Sequence, residues 1–206
     1  METGLLSQAI DLAEAIQEKK DTNKLACYEP YPYQLRFHNA RDDKGRLARQ
    51  RLLMAANKTG KTFCGASELA IHCMGAYPKW WTGPRFNKPV KAWACGNTAT
   101  NVRDIVQAEL LGEPGDPEDW GKGALPKELI LRTERSPGIP NAISTCIVKH
   151  SSGKNSKIYF KSYEQGKQAF MGKAIDVVWM DEEPPMDVYS QALRATLKGG
   201  GLSFMT

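Results

Sequence analysis

The chain lacks several features that mark whole classes of protein. No apolar run approaches the roughly 20 residues that a membrane span needs, and the first residues have neither the basic nor the apolar region of a signal peptide. The five cysteines are scattered without a C-x-x-C pair, and the three histidines lie far apart. We therefore expect no membrane span, disulfide framework or structural zinc site, and we expect reduced thiols in a cytoplasm.

The composition is that of an ordinary globular protein. Hydrophobic residues make up 41% of the sequence and charged residues 25%. A length of 206 residues is enough for one α/β domain with its own core. The net charge of +5 permits contact with nucleic acid but does not demand it. We find no internal repeat and no low-complexity segment, so residues 1–206 are interpreted as a single domain.

Apolar residues at helical spacing predict an amphipathic helix over residues 4–18, followed by a linker to residue 29. We expect this helix to pack on its own domain, with a partner-binding helix as the alternative. From residue 30 onward, strand and helix patterns alternate, which predicts a largely parallel sheet with helices on both faces. Predicted strands are 51–56, 91–95, 144–149, 157–162, 175–180 and 202–205; predicted helices are 61–75, 100–111 and 188–197. Residues 112–142 are expected to be irregular.

Residues 55–62 read A-A-N-K-T-G-K-T and match a phosphate-binding loop in which Ala55 replaces the first glycine. A predicted strand ends at this loop and a predicted helix follows it at once, as the motif requires. Backbone N–H groups of residues 57–62 would wrap the phosphates at the helix N-terminus. Lys61 would reach the β- and γ-phosphates and the Thr62 hydroxyl would bind Mg²⁺. A chance G-K-T in a surface loop is the alternative.

A second motif is the abrupt change from apolar to acidic residues at the end of the strand predicted over 175–180. Asp181, Glu182 and Glu183 follow it directly, and ligands of open α/β sheets bind at such carboxyl ends. We predict that Asp181 holds Mg²⁺, partly through water, and that Glu182 polarises the attacking water. Glu183 is a second candidate for that role or a helix cap. A solvated acidic turn is the alternative for the whole stretch.

Two further segments carry aromatic residues. Upstream of the loop, Gln34 could pair with adenine and the ring of Tyr33 could stack on the base, although both could belong to a surface loop packed on the first helix. Residues 77–86 interleave aromatic and basic side chains, which suits nucleic-acid contact. We favour the simpler interpretation that this segment folds back on the core.

Together these motifs resemble the N-terminal ATPase domain of the large terminase subunit of tailed bacteriophages. The resemblance runs from residue 31 to 206, and residues 55–62, 170–172 and 178–185 are its most specific parts. It implies a three-layer αβα P-loop NTPase fold of the additional-strand, catalytic-glutamate type. It also implies ATP and Mg²⁺ as cofactors and hydrolysis that drives double-stranded DNA into a procapsid.

The resemblance assigns roles to individual residues. Glu182 and Lys61 would be catalytic, Thr62 and Asp181 would hold the metal, and Thr206 would begin the motif that couples hydrolysis to movement. The predicted nucleotide-binding residues are Tyr33, Gln34, Asn57, Lys58, Thr59, Gly60, Lys61, Thr62 and Asp181. Some relatives carry an arginine finger where this chain has Met171. The possible substitutes are Arg103, Arg132, Arg135 and Lys173.

The resemblance also implies partners and a location. These are double-stranded DNA, a portal protein, a small terminase subunit and a homo-oligomeric ring, in the host cytoplasm and without a membrane. The chain ends where the coupling motif should continue, and the nuclease domain of the family is missing, so we expect no DNA cleavage. Two alternatives stay open: a helicase-like ATPase, which would normally carry a second motor domain, and a nucleotide-binding assembly module without turnover.

Overall fold

The computed structural model describes residues 2–197 and 199–206, with only the backbone described for residues 2–5 and 19–21. The strands in these residues are β1 (Gln50–Leu52), β2 (Lys91–Gly96), β3 (Ile130–Arg135), β4 (Ile143–Lys149), β5 (Asn155–Ser162), β6 (Val177–Met180) and β7 (Leu202–Met205). These seven strands form one sheet in the order β1-β7-β6-β2-β5-β4-β3. From β1 to β5 in this order the neighbouring strands are parallel, whereas β4 is antiparallel to both β5 and β3.

The helices are α1 (Glu2–Thr22), α2 (Pro32–His38), α3 (Lys61–Met74), α4 (Ala99–Asn101), α5 (Ala108–Leu111) and α6 (Met186–Leu197). Between α4 and α5 the helix continues through a π-type segment, Val102–Gln107. Short 3-10 turns lie at Lys24–Cys27, Pro117–Asp119, Lys127–Leu129, Tyr163–Gln165 and Lys167–Phe170. None of the helices in the described residues is both long and apolar enough to cross a membrane.

The sheet order confirms the predicted fold class. β7 lies between β1, which leads to the predicted phosphate loop, and β6, which leads to the acidic residues. This is the additional strand that separates the two motifs in the predicted fold type. Because β6, β2 and β5 are parallel neighbours, their carboxyl ends meet at one edge of the sheet.

Each face of the sheet carries a separate apolar core, which explains why β6 is buried along its whole length. On one face α3 and α5 cover the sheet; this core includes Leu69, Leu110, Ala94 and Trp179. On the other face α6 packs against β6 and β7, in a core that includes Val188, Trp93 and Met180. The three-layer arrangement follows from this two-sided burial.

The N-terminal helix is longer than predicted, and the expectation that it packs on its own domain is wrong. Side chains 6–18 of α1 are all exposed, including Leu6 (65%), Leu12 (63%) and Ile16 (47%). The apolar spacing does form a helix, but none of these side chains is buried on the domain. Its alternative role, as a partner-binding helix, stays a prediction.

Two strand predictions need correction. The strand predicted over 51–56 covers only Gln50–Leu52 and lies at the sheet edge, where Leu52 is 57% exposed. Among the described strands its only neighbour is β7, and their paired register ends where Leu52 lies opposite Met205, the last residue of β7. Residues 112–142, expected to be irregular, contain β3, which pairs with β4 across a bulged register. The local sequence of β3 has no clear alternation of apolar and polar residues. The strand therefore depends on its pairing with β4, which the local sequence does not reveal.

The aromatic segment 77–86 folds back on the domain, as favoured from the sequence. Trp81 is 1% exposed, and its indole N–H donates to the backbone oxygen of Pro84 at 2.9 Å. Its ring lies 5.4 Å from that of His38. The buried ring of Trp81 therefore belongs to the core and is not available as a stacking platform.

Candidate nucleotide-binding site

The loop between β1 and α3 has the backbone of an anion-binding turn. Gly60 has φ +80° and caps α3, a left-handed conformation that glycine adopts without steric cost. Lys58 also has a positive φ of +59°, while the backbone at Ala55 is not in the positive-φ region. The first glycine of the usual motif is therefore not required here, and the N–H groups at the start of α3 are free to face an anion.

The Lys61 ammonium group is held by its own loop. It donates to the backbone oxygens of Ala55 and Ala56, both at 2.8 Å. The Thr59 hydroxyl also donates to the Ala56 oxygen, at 2.8 Å. These bonds preserve the loop shape, and a phosphate would have to compete with two carbonyl groups for the same cation.

A chain of three side chains joins the acidic motif to the end of β7. The indole N–H of Trp179 donates to the Thr206 hydroxyl at 2.8 Å, and this hydroxyl donates to a carboxylate oxygen of Asp181 at 2.9 Å. Burial raises the pKa of Asp181 to about 6, although hydrogen bonds from Thr206 and Thr62 oppose the rise. The site therefore disfavours an isolated negative charge on Asp181 and favours a nearby cation.

Glu182 lies on a constrained turn at the mouth of the site. Its φ is +63°, and its N–H donates to the Thr206 backbone oxygen at 3.0 Å. The Asn97 side-chain amide donates to a carboxylate oxygen of Glu182. The Tyr163 hydroxyl lies 3.0 Å from the Asp181 backbone oxygen and 3.2 Å from that of Glu182. Such a left-handed residue is maintained only where its surroundings fix it, as they do here.

One open cleft of about 360 Å³ lies at the carboxyl edge of the sheet. Of the predicted site residues, the structure brings together in its lining Asn57, Lys58, Gly60, Lys61, Thr62, Asp181, Glu182 and Thr206. Phe63, Ile105 and Glu109 complete the lining. Burial raises the pKa of Glu109. Glu183 instead lines a neighbouring groove with Pro184 and Met186, and Lys61 and Thr206 line both this groove and the cleft.

Gln34 and Tyr33 lie behind the loop, outside the cleft lining. The Gln34 amide is buried; its nitrogen donates to the Gly60 backbone oxygen at 3.1 Å, and its oxygen accepts from the Tyr31 N–H at 2.9 Å. The Tyr33 hydroxyl donates to the Thr59 backbone oxygen. In this structure both side chains brace the phosphate loop, and their contact with a base stays a prediction.

None of the four suggested finger residues lines the cleft in the described part of the chain. Arg103 pairs with Asp104 at 2.6 Å, and Arg132 lies 3.5 Å from Glu134. Lys173 lies over the ring of Tyr159. The sequence alone did not choose among these residues, and the structure places none of them in the lining beside the phosphate loop.

A family model described as "Terminase large subunit, T4likevirus-type, N-terminal" matches residues 52–206. The chain belongs to this family. The match covers the loop, the acidic motif and Thr206, so the same residues that line the cleft lie inside the family region. The resemblance drawn from the sequence is thereby confirmed.

Two comparisons agree with this assignment. The chain is 35% identical over 219 residues to the large terminase subunit of Salmonella phage P22, covering 97% of this chain and 43% of that protein. It thus spans less than half the length of this relative. The solved structure of the large terminase from a thermophilic bacteriophage, in complex with ADP, matches with a TM-score of 0.55 and 13% identity. That match covers 85% of this chain and 38% of the other and supports the fold.

Behind the loop, this terminase-family chain has a buried charged cluster that the sequence analysis missed. Glu68 of α3 is fully buried and pairs with Arg51 of β1. It also lies 2.8 Å from His38 Nδ1 and 3.4 Å from His72 Nε2. The cluster ties α2, α3 and β1 together directly behind the phosphate loop. In the sequence, the only sign of this cluster was the spacing of four residues between Glu68 and His72, which places both on one face of a helix.

Asn97 and Tyr163 were also missed. Asn97 follows β2 and Tyr163 follows β5. In the sheet, β2 lies next to β6, and β5 is the next strand beyond β2. A search for polar residues after every predicted strand would have included both positions. The strand order was needed to show that they meet Glu182.

Proposed function

We propose that this chain hydrolyses ATP with Mg²⁺ and that this hydrolysis powers movement of double-stranded viral DNA into a procapsid. The observation that carries the proposal is one cleft that unites a phosphate loop, a buried carboxyl group and a second carboxylate held at its mouth. The family membership of the chain and the ADP complex of the structurally similar phage terminase support it.

The residues present fit a magnesium site. The Thr62 hydroxyl and the Asp181 carboxylate are oxygen ligands on adjacent elements, joined by a hydrogen bond that lowers the pKa of Asp181 against the effect of burial. No cluster of three or more His, Cys, Asp or Glu side chains able to hold a metal occurs in the described residues. Mg²⁺ suits such a sparse site, because it keeps waters and takes further oxygens from phosphates. Bound there, it would neutralise charge on the β- and γ-phosphates.

In this proposal Lys61 leaves the oxygens of Ala55 and Ala56 and contacts the phosphates. The N–H groups at the start of α3 hold the same phosphates, so the developing negative charge meets fixed dipoles and one cation. Glu182 orients water for in-line attack on the γ-phosphate, with Asn97 fixing one of its oxygens. Thr206 touches Asp181 and the backbone of Glu182, so the start of the proposed coupling segment contacts both acids.

The larger assembly belongs to the same proposal. A homo-oligomeric ring would dock on a portal protein in the host cytoplasm, work with a small terminase subunit and thread double-stranded DNA. Since none of the suggested cations lines the cleft in the described residues, a neighbouring subunit of the ring would supply the finger. Residues 1–29 would form an N-terminal extension and residues 30–206 the ATPase core.

The test compares two neighbouring carboxylates. ATP turnover with Mg²⁺ and binding of a labelled ATP analogue are measured for the parent chain, Lys61→Ala, Glu182→Gln and Glu183→Gln. We expect Glu182→Gln to keep binding and lose about 100-fold or more in kcat, in the range of a lost general base. Lys61→Ala should lose binding. Glu183→Gln, which removes the same charge outside the cleft, should change kcat by less than about twofold.

Three results would contradict the proposal. Equal losses of kcat in Glu182→Gln and Glu183→Gln would show that Glu182 has no particular role in turnover. Absence of ATP binding in the parent chain would remove the nucleotide site altogether. Binding without turnover in the parent, even at high protein concentration, would favour the nucleotide-binding assembly module over a motor.

A further inference from the structure

The sheet face on which α6 packs is covered along β6 and β7 and left partly open along β5 and β4. The register places Trp93 of β2 beside Tyr159 of β5, and Tyr159 beside Thr145 of β4. One step along the same face, Lys157 of β5 is opposite Ile147 of β4. Trp93 is fully buried, whereas Tyr159, Lys157 and Ile147 are only half-buried. The boundary of the α6 core therefore falls between β2 and β5.

Three lysines gather on aromatic rings at this boundary. The Nζ atoms of Lys157 and Lys173 lie 5.0 Å and 4.6 Å from the centroid of the Tyr159 ring. The Nζ atom of Lys161 lies 5.3 Å from the Trp93 ring and 5.1 Å from the Phe170 ring. The rings attract the ammonium groups through cation–π interactions, and the Lys161 ammonium group also donates a hydrogen bond to the Ala169 backbone oxygen. We refer to Lys157, Lys161, Lys173 and Tyr159 as the lysine platform.

In the described part of the chain, the lysine platform has no acidic partner. No Asp or Glu of the described side chains lies within 4.0 Å of the three ammonium groups, although pairs of this kind occur elsewhere in the chain. Burial lowers the pKa of Lys161, and the charge of Lys173 lowers it further. The residues beside the platform on β4, Thr145 and Ile147, are neutral. Gathering three like charges costs free energy that a bound polyanion would recover.

We propose that the lysine platform is a contact surface for the phosphate backbone of double-stranded DNA. This inference rests on the proposed packaging function, which supplies a DNA partner, and adds the location of a contact. Lysine is a flexible point charge, suited to phosphate contact without base selection. Trp93 and Phe170 are buried and Tyr159 is half-buried, so these three rings do not provide the exposed aromatic anchors that dominate protein–protein interfaces.

The test is a titration of a fluorescent mixed-sequence duplex with the whole chain, read by anisotropy at several salt concentrations. The platform variant is Lys157→Gln with Lys173→Gln. The matched control is Lys44→Gln with Lys88→Gln, which removes the same charge at exposed positions elsewhere. Each lost phosphate contact should reduce the log–log salt slope by about 0.9, so we expect a reduction of nearly two and roughly tenfold weaker binding at moderate salt.

A third variant, Tyr159→Leu, keeps every charge and removes the ring that positions two of the lysines. We expect intermediate affinity and a nearly unchanged salt slope, which a mere count of charges does not predict. ATP-analogue binding should match that of the parent in all three variants, which shows that each protein is folded. Binding of poly-glutamate is measured in parallel.

Equal losses in the platform and control variants would overturn the inference, because only total charge would then matter. Loss of poly-glutamate binding with unchanged duplex binding would also overturn it and assign the surface to an acidic protein. Absence of duplex binding by the parent would overturn it while leaving the ATP-turnover test untouched. Conversely, unchanged turnover in Glu182→Gln would contradict the proposed role of Glu182 and would leave the duplex affinity unaffected, so the failures of the two proposals can be told apart.

Discussion

The side-chain amide of Asn97 donates a hydrogen bond to a carboxylate oxygen of Glu182, across 85 positions of sequence. Asn97 follows β2 and Glu182 follows β6, and these two strands are parallel neighbours. The bond fixes one oxygen of the carboxylate and leaves the other available to water. Asn97 is therefore positioned to orient the proposed general base without touching the nucleotide-binding loop.

If Asn97 orients Glu182, Asn97→Ala should lower kcat roughly tenfold, which is less than the loss of about 100-fold or more expected when the general base itself is removed. The KM for ATP should stay within about twofold, because no proposed nucleotide contact is lost. Steady-state turnover with Mg²⁺ measures both. Asn97→Gln, with a longer amide, serves as a control for the loss of the polar group. A rise in kcat for the alanine variant would instead show that Asn97 restrains Glu182.

The Glu68 cluster should make stability depend on pH. Burial alone would raise the pKa of Glu68, but Arg51, His38 and His72 outweigh it and hold the pKa well below its usual value of 4.5. Burial lowers the pKa of His72 below 6.5. In both cases the unfolded chain takes up the proton first as pH falls. The stability contribution is present above these ordinary values and is lost on acidification, first through His72 and then through Glu68.

Urea unfolding of the parent at several pH values between neutrality and about pH 2 measures how the free energy of unfolding depends on pH. Glu68→Gln should lose about 3–5 kcal/mol at neutral pH, because Arg51 stays buried without its partner. The loss should be smaller in acid. Since this variant could fail to fold, Glu68→Gln with Arg51→Met removes both charges and should recover part of the stability. A parent chain whose stability rises on acidification would contradict the assignment.

Gly65 is packed against the side chains that hold Asp181. A Cβ atom added there would lie 2.4 Å from Nε1 of Trp179 and 3.0 Å from Cγ2 of Thr206. Although alanine is the better helix former by about 1 kcal/mol, overpacking costs about 1–3 kcal/mol. We expect Gly65→Ala to lower both the free energy of unfolding and the affinity for Mg²⁺–nucleotide.

Ser67, two residues further along α3, provides the comparison. Its hydroxyl is buried with no hydrogen-bond partner in the described structure, so Ser67→Ala should be neutral or stabilising by up to about 1 kcal/mol. Thermal unfolding and nucleotide titration of the two variants separate the effects. Gly65→Ala behaving like Ser67→Ala would show that Trp179 and Thr206 can move without cost.

The hydroxyl of Thr206 accepts a hydrogen bond from the indole N–H of Trp179 and donates one to the carboxylate of Asp181. Thr206→Val keeps the shape but leaves the indole N–H of Trp179 buried without a partner and removes one of the two hydrogen bonds to Asp181. The unsatisfied indole N–H alone should cost about 1–3 kcal/mol of stability. Nucleotide binding with Mg²⁺ should also weaken, whereas Thr206→Ser should keep both properties close to those of the parent. Thermal unfolding and nucleotide titration check this. A valine variant that matches the serine variant would exclude the hydroxyl as a link between β7 and Asp181.

The two motifs could be predicted because each depends on a short stretch of sequence. Residues 55–62 encode a turn whose glycine, Gly60, adopts the left-handed conformation that the loop needs. The apolar run ending at Asp181 encodes a buried strand with charge at its carboxyl end. Their meeting in one cleft followed from the general rule that parallel strands bring their carboxyl ends to one edge. The expected partners, ring and Mg²⁺ dependence remain predictions.

The sequence by itself determined the alternation of strands and helices, the phosphate loop, the acidic strand end and the family, since all of these depend on local pattern. Only the tertiary structure decided that Asn97 meets Glu182, that Thr206 bonds to Asp181, that Gln34 braces the loop and that the side chains 6–18 of α1 are exposed. These features depend on strand order and on packing between elements far apart in the chain. A local pattern specifies which face of an element is apolar, but the assembled sheet decides what that face meets.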